Sequence, residues 1–567
     1  NNTGGRGQGA GGRDFSPDPR SLTPGPFFFL FALLFILMAC DSGNNGNFSL
    51  ERVKNISTSV NICSGFSTDN TAGGTNIKVS GQIRYEDKEF DQNGFTGNST
   101  FKPVRFADIE VVRCSDSTVI ASGRSDSNGS YAVTFSNSGS PGIYIRVIGR
   151  TTQDTDTNIA DIVIKSDIKS GAIQSVISDP FDESIGKDFV VDLDSAADSK
   201  TGGVFNILDV FTDGSISVTN LDGNIPPLLT VYWKQGNKDG TYFDSFDNSI
   251  HVLGTVTDTD EYDDDIILHE YAHFIAINLS KDDSPGDIHF LNENNQDIRL
   301  SWSEGWATFF ANSIRQTPIV IDTRAVGTIS FNIEIPDFSS AAIYSTNELA
   351  VTTVLWDIFD PANETFDTLS EGITEIWDIF SNYLPDTTDV SIEDFWDKFI
   401  SVYPDLRAGL LSITDDRKMV FSSDQFEGNS DNDTNTGSSI TIDENQTHNL
   451  YSQGASDIDY IKFSAIQGTT YTITTSNLSN GADTYLEVID PDGTTVKSAN
   501  DNSDGKTYSL CVSLSATCPV NDNTTLSSSI TFTADTTGTY FVKISRSPDA
   551  PPSSGSYGVY DIKIVKK

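Results

Sequence analysis

Two histidines four residues apart, His269 and His273 in the stretch DDDIILHEYAHFIAINLS, constrain this chain more than any other feature. The 567 residues contain only five histidines, so a pair at this spacing stands out. Residues four apart on an α-helix lie on one face, one turn up, and both imidazoles can then point at a single ion. That is a zinc geometry. Glu270 lies about 100° round the helix from His269, placed to reach a water beside such an ion without ligating it. Ile266, Ile267, Leu268, Ala272, Phe274 and Ile275 would bury the other faces. Asp263, Asp264 and Asp265 set negative charge at the positive end of the helix dipole. The bland alternative is two histidines on the surface of an amphipathic helix.

The pattern H-E-x-x-H is the zincin signature. A catalytic zinc needs a third protein ligand and an open position. The metzincin solution, a histidine six residues after His273, is excluded because Leu279 stands there and Ala276 replaces the required glycine. The remaining solution is a carboxylate from a second helix, and SWSEGWATFFA offers Glu304, 31 residues after His273. Glu293 and His289, in a polar loop, are the alternatives.

This second segment resembles the second zinc motif of the gluzincin peptidases, in which a glutamate ligand opens an E-G-aromatic run. The resemblance implies zinc ligation by His269, His273 and Glu304, with Glu270 as general base. Thermolysin-like relatives carry an Asp four residues after the ligand Glu, and here that position is Thr308. The longer gap between the motifs implies an inserted loop over Asp282 to Asp297. Gluzincins also use a His or Tyr to donate to the oxyanion. No His follows Glu304 before His448, so the resemblance points to Tyr344, with Tyr383 also available. NSIHVLG, Asn248 to Gly254, is expected to be an edge strand for an extended substrate, with His251 structural.

The only long apolar run, FFFLFALLFILMA from Phe27 to Ala39, is too short for the roughly 20 residues that span a bilayer. It reads as a signal-peptide core. Its end, Leu37-Met38-Ala39-Cys40, resembles the lipobox of bacterial lipoproteins, which implies lipid attachment at Cys40 and a membrane anchor at the cell envelope. An ordinary signal peptide and secretion is the other reading. An exported chain keeps disulfides, so the four other cysteines are expected to pair as Cys511 with Cys518 and Cys63 with Cys114. The formal net charge of −44 disfavours a nucleic-acid partner.

Residues 40–76 are Asn, Ser, Gly and Thr-rich and read as a tether. From Ile77 apolar residues alternate, predicting a β-sandwich over 77–165 that resembles a transthyretin-like module. Over 166–425, short strands give way to helices at 264–279, 302–315, 347–359, 371–383 and 392–402, an α+β pattern with a mixed sheet and a helical lobe. After a linker at 426–438, period two returns over 439–567. There DIDYIKF through GTYFVKIS resembles the bacterial pre-peptidase C-terminal domain, a β-sandwich appended to secreted peptidases. That family implies calcium as a second cofactor, with Asp457, Asp459, Asp483 and Asp501 as candidate ligands, although solvated turn carboxylates give the same pattern. The fold expected is multidomain α+β. The function expected is zinc-dependent hydrolysis of peptide bonds in extracellular proteins, by an endopeptidase. The alternatives are an inactive surface-binding protein on the same scaffold and an aminopeptidase, for which no amine-holding G-A-M-E-N run is present.

Overall fold

The computed structural model describes Cys63 and residues 76–567, apart from 137–141, 183–188, 191–192, 195–201, 287–288, 295, 325–326, 339–342, 388, 428–431, 453–454, 504–525 and 551–554. The leader at 1–39, Cys40, the tether up to residue 75 (Cys63 excepted) and the pair Cys511 and Cys518 lie outside the described residues. Cys63 and Cys114 form a disulfide with their Cα atoms 5.6 Å apart.

The alternating apolar residues after Ile77 form strands, as their period demands. Asn76–Asp91 pairs antiparallel with Gly94–Pro103 and with Ser130–Ser136. A second sheet of nine strands runs, from one edge, through Tyr242–Asp244, Ser249–His251, Leu229–Tyr232, Ile162–Lys165, Gly142–Thr151, Ala107–Arg113 and Val119–Arg124. Ile162–Lys165 pairs in parallel with Leu229–Tyr232, so the border expected at residue 165 falls inside a continuous sheet. The reason is legible in the residues. Ile162, Val163 and Ile164 are all buried, an unbroken apolar run that suits a central strand covered on both faces.

Among the described residues seven α-helices follow: α1 (Gly202–Asp222), α2 (Asp264–Leu279), α3 (Ile298–Arg315), α4 (Glu348–Phe359), α5 (Ile373–Asn382), α6 (Ile392–Val402) and α7 (Arg407–Asp416). Helix α3 begins a turn earlier than its apolar period suggests, because the Asp297 side chain accepts the Arg299 N–H at 2.9 Å and caps it. Asn347 caps α4 in the same way, accepting from Ala350 N at 2.9 Å.

Helix α1 replaces the short strands expected there. It is buried on nearly every side, so no polar face marks its period. Thr212 and Thr219 turn their hydroxyls back onto the carbonyls of Leu208 and Ser215, at 2.7 and 2.8 Å, and so hide their polarity within the helix. Gly214 lets α1 approach α2, since a Cβ there would stand 2.7 Å from the Tyr271 ring.

The acids opening α2 do more than face its dipole. Asp263 accepts the Thr323 N–H at 3.0 Å and its hydroxyl at 2.6 Å. Asp264 accepts from Asn206 at 3.1 Å, while Asp265 pairs with Arg315 and accepts the Ile321 N–H at 2.8 Å. The metal-motif helix is thereby tied to α1, to α3 and to the hairpin of strands Ile319–Arg324 and Gly327–Asn332.

One hydrophobic cluster runs from Ile77 through all seven helices to Tyr557. A second fills the C-terminal sandwich, whose two four-stranded sheets are Asn445–Asn449, Val559–Lys566, Thr470–Ser479, Ser529–Thr533 and Ile458–Ala465, Gly538–Arg546, Thr484–Ile489, Val496–Asn500. At the joint between the two units, buried Glu393 of α6 accepts the N–H groups of Ser556 and Tyr557 at 2.8 and 3.2 Å. Among the described residues no helix is long and apolar enough to cross a membrane.

Candidate metal centre and active site

Helices α2 and α3 pack against each other and bring three predicted ligands together. His269 Nε2 lies 3.1 Å from Glu304 Oε2, His273 Nε2 lies 3.5 Å from the same oxygen, and the two Nε2 atoms are 3.3 Å apart. One ligand atom from each of the three lies within 4.8 Å of the others. Two imidazole nitrogens and a carboxylate oxygen this close to one another could hold one metal ion, and they are donor types that zinc accepts. The outer ring nitrogens are held as such a site requires. Thr308 Oγ1 stands 3.3 Å from His269 Nδ1, so a hydroxyl holds the outer nitrogen of that ring. Ser303 Oγ stands 3.2 Å from His273 Nδ1 and donates to Asp282 at 2.6 Å, which puts Asp282 itself 3.6 Å from that ring. The spare carboxylate therefore arrives on the second histidine, from the loop after α2.

The charges in this cluster bind one another. Burial alone would raise the Glu304 pKa, but His289 and His273 outweigh it and hold the carboxyl well below its usual range. Burial would lower His273, yet the Glu304 charge and the bond to Asp282 lift it well above the usual histidine value. A cation seated among these groups replaces protons that the cluster otherwise retains.

Glu270 is buried beside the triad. Its Oε2 accepts the Phe243 N–H at 2.8 Å, and its Oε1 has no hydrogen-bond partner. Burial raises its pKa, against the pull of His269 and His273. Phe243 belongs to Tyr242–Asp244, which is the outermost strand of the nine-stranded sheet, paired antiparallel with Ser249–His251. The edge expected at Asn248–Gly254 is thus covered by one further strand. His251 is sandwiched between Tyr242 and Tyr232, with ring centroids 4.5 and 5.1 Å away.

His289, weighed from sequence only as a substitute ligand, occupies a different place. Its Nε2 stands 3.7 Å from Glu304 Oε1, the oxygen turned away from the other two histidines, and its Nδ1 is 2.7 Å from Glu348 Oε2. Burial lowers its pKa, but Glu304 and Glu348 prevail and lift it to about 9. The signal for it was positional: three of the five histidines fall between residues 269 and 289. Tyr344 lies half-buried in the turn before α4, its carbonyl accepting the Asn347 N–H at 3.1 Å. Tyr383 is at the end of α5 and exposed. Glu293 is exposed in the loop, its pKa raised by partial desolvation and by the Glu348 charge.

Gly305 sets the distance between α3 and α4. A Cβ there would meet Val351 Cγ1 at 2.6 Å and the Glu348 carbonyl at 3.0 Å. An alanine gains about 1 kcal/mol of helix propensity but overpacks a closed contact, which costs about 1–3 kcal/mol. Gly305→Ala should therefore lower the melting temperature and, by pushing α4 outward, weaken activity. An unchanged melt would show that the helices have room to spare.

Of the candidate calcium ligands, Asp457 and Asp459 gather with Glu427, with one oxygen from each within 4.8 Å of the others. Asp483 and Asp501 form a separate pair, where burial first and then the Asp501 charge raise Asp483 to about 7.

Residues 220–398 match the Mycolysin C-terminal domain. That span contains the whole triad, Glu270, His289 and Glu348. Residues 457–546 match the Bacterial pre-peptidase C-terminal domain. Both descriptions point to a peptidase-related protein, and the second is consistent with secretion. A curated relative, an uncharacterized protein of Archaeoglobus fulgidus, is 29% identical over 140 residues, which are 23% of this chain. The chain spans only 39% of that relative's length. Solved structures with local likeness include the pre-peptidase C-terminal domain of a Bacillus anthracis collagenase, at 12% identity over 22% of this chain and 92% of that one, with a TM-score of 0.16. The periplasmic lysozyme inhibitor PliG of Aeromonas hydrophila matches at 9% identity over 23% and 95%, with a TM-score of 0.14. At such scores these likenesses carry no argument about the chain as a whole.

Proposed function

We propose that this chain is a zinc-dependent endopeptidase of extracellular proteins, exported and anchored to the cell envelope through lipid on Cys40. The observation that supports the reading is the convergence of His269, His273 and Glu304 with buried Glu270 beside them. Zinc held by those three residues would polarise a peptide carbonyl and lower the pKa of a water to about 7. The chain supplies the rest. Glu270, fixed through one oxygen by Phe243 N–H, uses the other to take the proton of the attacking water and delivers it to the leaving amine. Tyr242–Asp244, outermost in its sheet among the described residues, would let an extended substrate lie beside it as an added strand, with Phe243 N–H already held by Glu270.

The test is metal analysis paired with an assay on the full-length chain. About one zinc per chain is expected. A chelator should abolish casein cleavage, and added zinc should restore it. N-acetylated peptides should be cut as readily as those with a free amine. Cleavage indifferent to chelation would sink the reading.

A further inference from the structure

A second meeting of an imidazole with carboxylates lies where the chain passes into the C-terminal sandwich. His448 Nδ1 stands 3.5 Å from Asp424 Oδ2 and 3.9 Å from Asp459 Oδ1, and one ligand atom from each of the three residues lies within 4.8 Å of the others. The side chains of His448 and Asp459 are wholly buried, and that of Asp424 is 10% exposed. Three segments converge there. Asp424 belongs to the stretch that leaves α7, His448 to Asn445–Asn449 in one sheet of the sandwich, and Asp459 to Ile458–Ala465 in the other. Of the three, only Asp459 falls within the span that matches the Bacterial pre-peptidase C-terminal domain.

Each group is held facing the others. Phe426 and Tyr560 stack on the His448 ring, with centroids 4.2 and 5.7 Å away. Its Nε2 faces Gln446 Oε1 at 3.4 Å, which turns Nδ1 toward the two carboxylates, and Nδ1 has no hydrogen-bond partner. Asp424 is fixed by the N–H groups of Phe426 and Asn449, at 2.6 and 3.0 Å, and Asp459 by the Tyr560 hydroxyl. Buried carboxylates gathered around a buried nitrogen need a cation among them. Were a proton that cation, ring and carboxylate would close to about 2.7–2.9 Å, the length of a charge-assisted hydrogen bond. Donors held at roughly 2.0–2.2 Å from one tetrahedral zinc lie about 3.3–3.6 Å apart, and the observed spacings are nearer to that.

We propose that Asp424, His448 and Asp459 form a structural site for a divalent transition-metal cation, with zinc as the ion that fits, stapling the two sheets of the sandwich to the stretch that leaves α7. Imidazole with carboxylate suits zinc, whereas calcium takes oxygen ligands, so a ring among the donors sets this site apart from the calcium expected at the sandwich acids. The ligands come from segments that only the folded chain brings together, so binding of the ion stabilises the fold directly. The site does not depend on the peptidase reading. The one zinc counted above is that of the α2–α3 site, and this site adds a second.

The experiment removes the first site so that the second can be counted alone. Full-length chain carrying both His269→Ala and His273→Ala, stripped with a chelator and dialysed against zinc, should hold about one zinc by atomic emission, and zinc should raise its melting temperature. Adding His448→Gln should abolish both the bound zinc and the gain in melting temperature. If that chain does not fold, Asp424→Asn, which keeps an oxygen for the Phe426 N–H, takes its place and should also lose the zinc. With the first site intact, His448→Gln should lower zinc from about two per chain to about one. A His269→Ala, His273→Ala chain that binds no zinc would overturn the proposal and leave a proton as the cation among these groups. Zinc that survives both His448→Gln and Asp424→Asn would overturn it too, as would calcium bound in preference to zinc and kept by His448→Gln.

Discussion

Glu270→Gln should lower peptide hydrolysis by on the order of 10²–10⁴-fold or more, while zinc content stays that of the parent. The amide oxygen of glutamine can still accept the Phe243 N–H, so the helix and edge strand keep their joint. What is lost is the proton acceptor, the carboxylate oxygen that has no protein partner. Glu270 lies outside the group that closes on one point, so metal affinity has no reason to follow. The two readouts together separate a base from a ligand: casein hydrolysis reports the first, atomic emission the second. A variant that cuts casein at the parent's rate would remove Glu270 from the chemistry, and a variant that has shed its zinc would make it part of the cage.

Thermal stability should fall steeply as pH rises from about 5 to about 9. Burial, opposed by the N–H groups of Ser556 and Tyr557, pushes Glu393 up to about 8. Burial likewise lifts Glu261 to about 7, with Lys88 pulling the other way, and Asp483 to about 7. Each of these acids holds a proton in the folded chain at pH values where the unfolded chain has released it. Their contribution to stability is therefore complete below about pH 4 and is lost as pH climbs through 7 and 8. Together the loss is on the order of several kcal/mol, enough to move the melting temperature by about 10 °C or more. Circular dichroism melts at pH 5.5, 7 and 9, run in high salt to damp the overall self-repulsion, measure it. Glu393→Gln, neutral throughout, should flatten the curve. A melt that rises toward pH 9 would show that these carboxyls are ionised in the fold.

Local patterns found the helices that carry the candidate ligands and missed the frame around them. The span of α2 and that of α6 follow from apolar period and flanking polar residues alone, and the position of Glu304 follows from its own glycine-aromatic neighbourhood. Helix α1 was hidden because burial on all sides removes the polar stripe that period-reading needs. The parallel pairing of Ile162–Lys165 with Leu229–Tyr232 links segments more than 60 residues apart, and a strand's own residues do not name its neighbour. The same limit applies to His289. Its partner Glu348 is 59 residues away, and only the tertiary fold brings carboxylate to imidazole. Thr308 and Ser303 show the converse: their hydroxyls reach the two rings because the helix spacing already aims them there.

The seam at Glu393 has a consequence for how such a chain can be trimmed or recombined. Tyr557 covers Phe421, Trp396 donates its indole N–H to the hydroxyl of Tyr451 at 3.3 Å, and Asn480 accepts the Ser345 N–H at 3.2 Å in the turn that leads into α4. A version truncated before residue 439 would bare aromatic rings on α6 and leave a buried acid without its donors. Kin that dispense with the sandwich should therefore show polar replacements at Glu393, Trp396 and Phe421, a pattern that genome comparison alone can reveal.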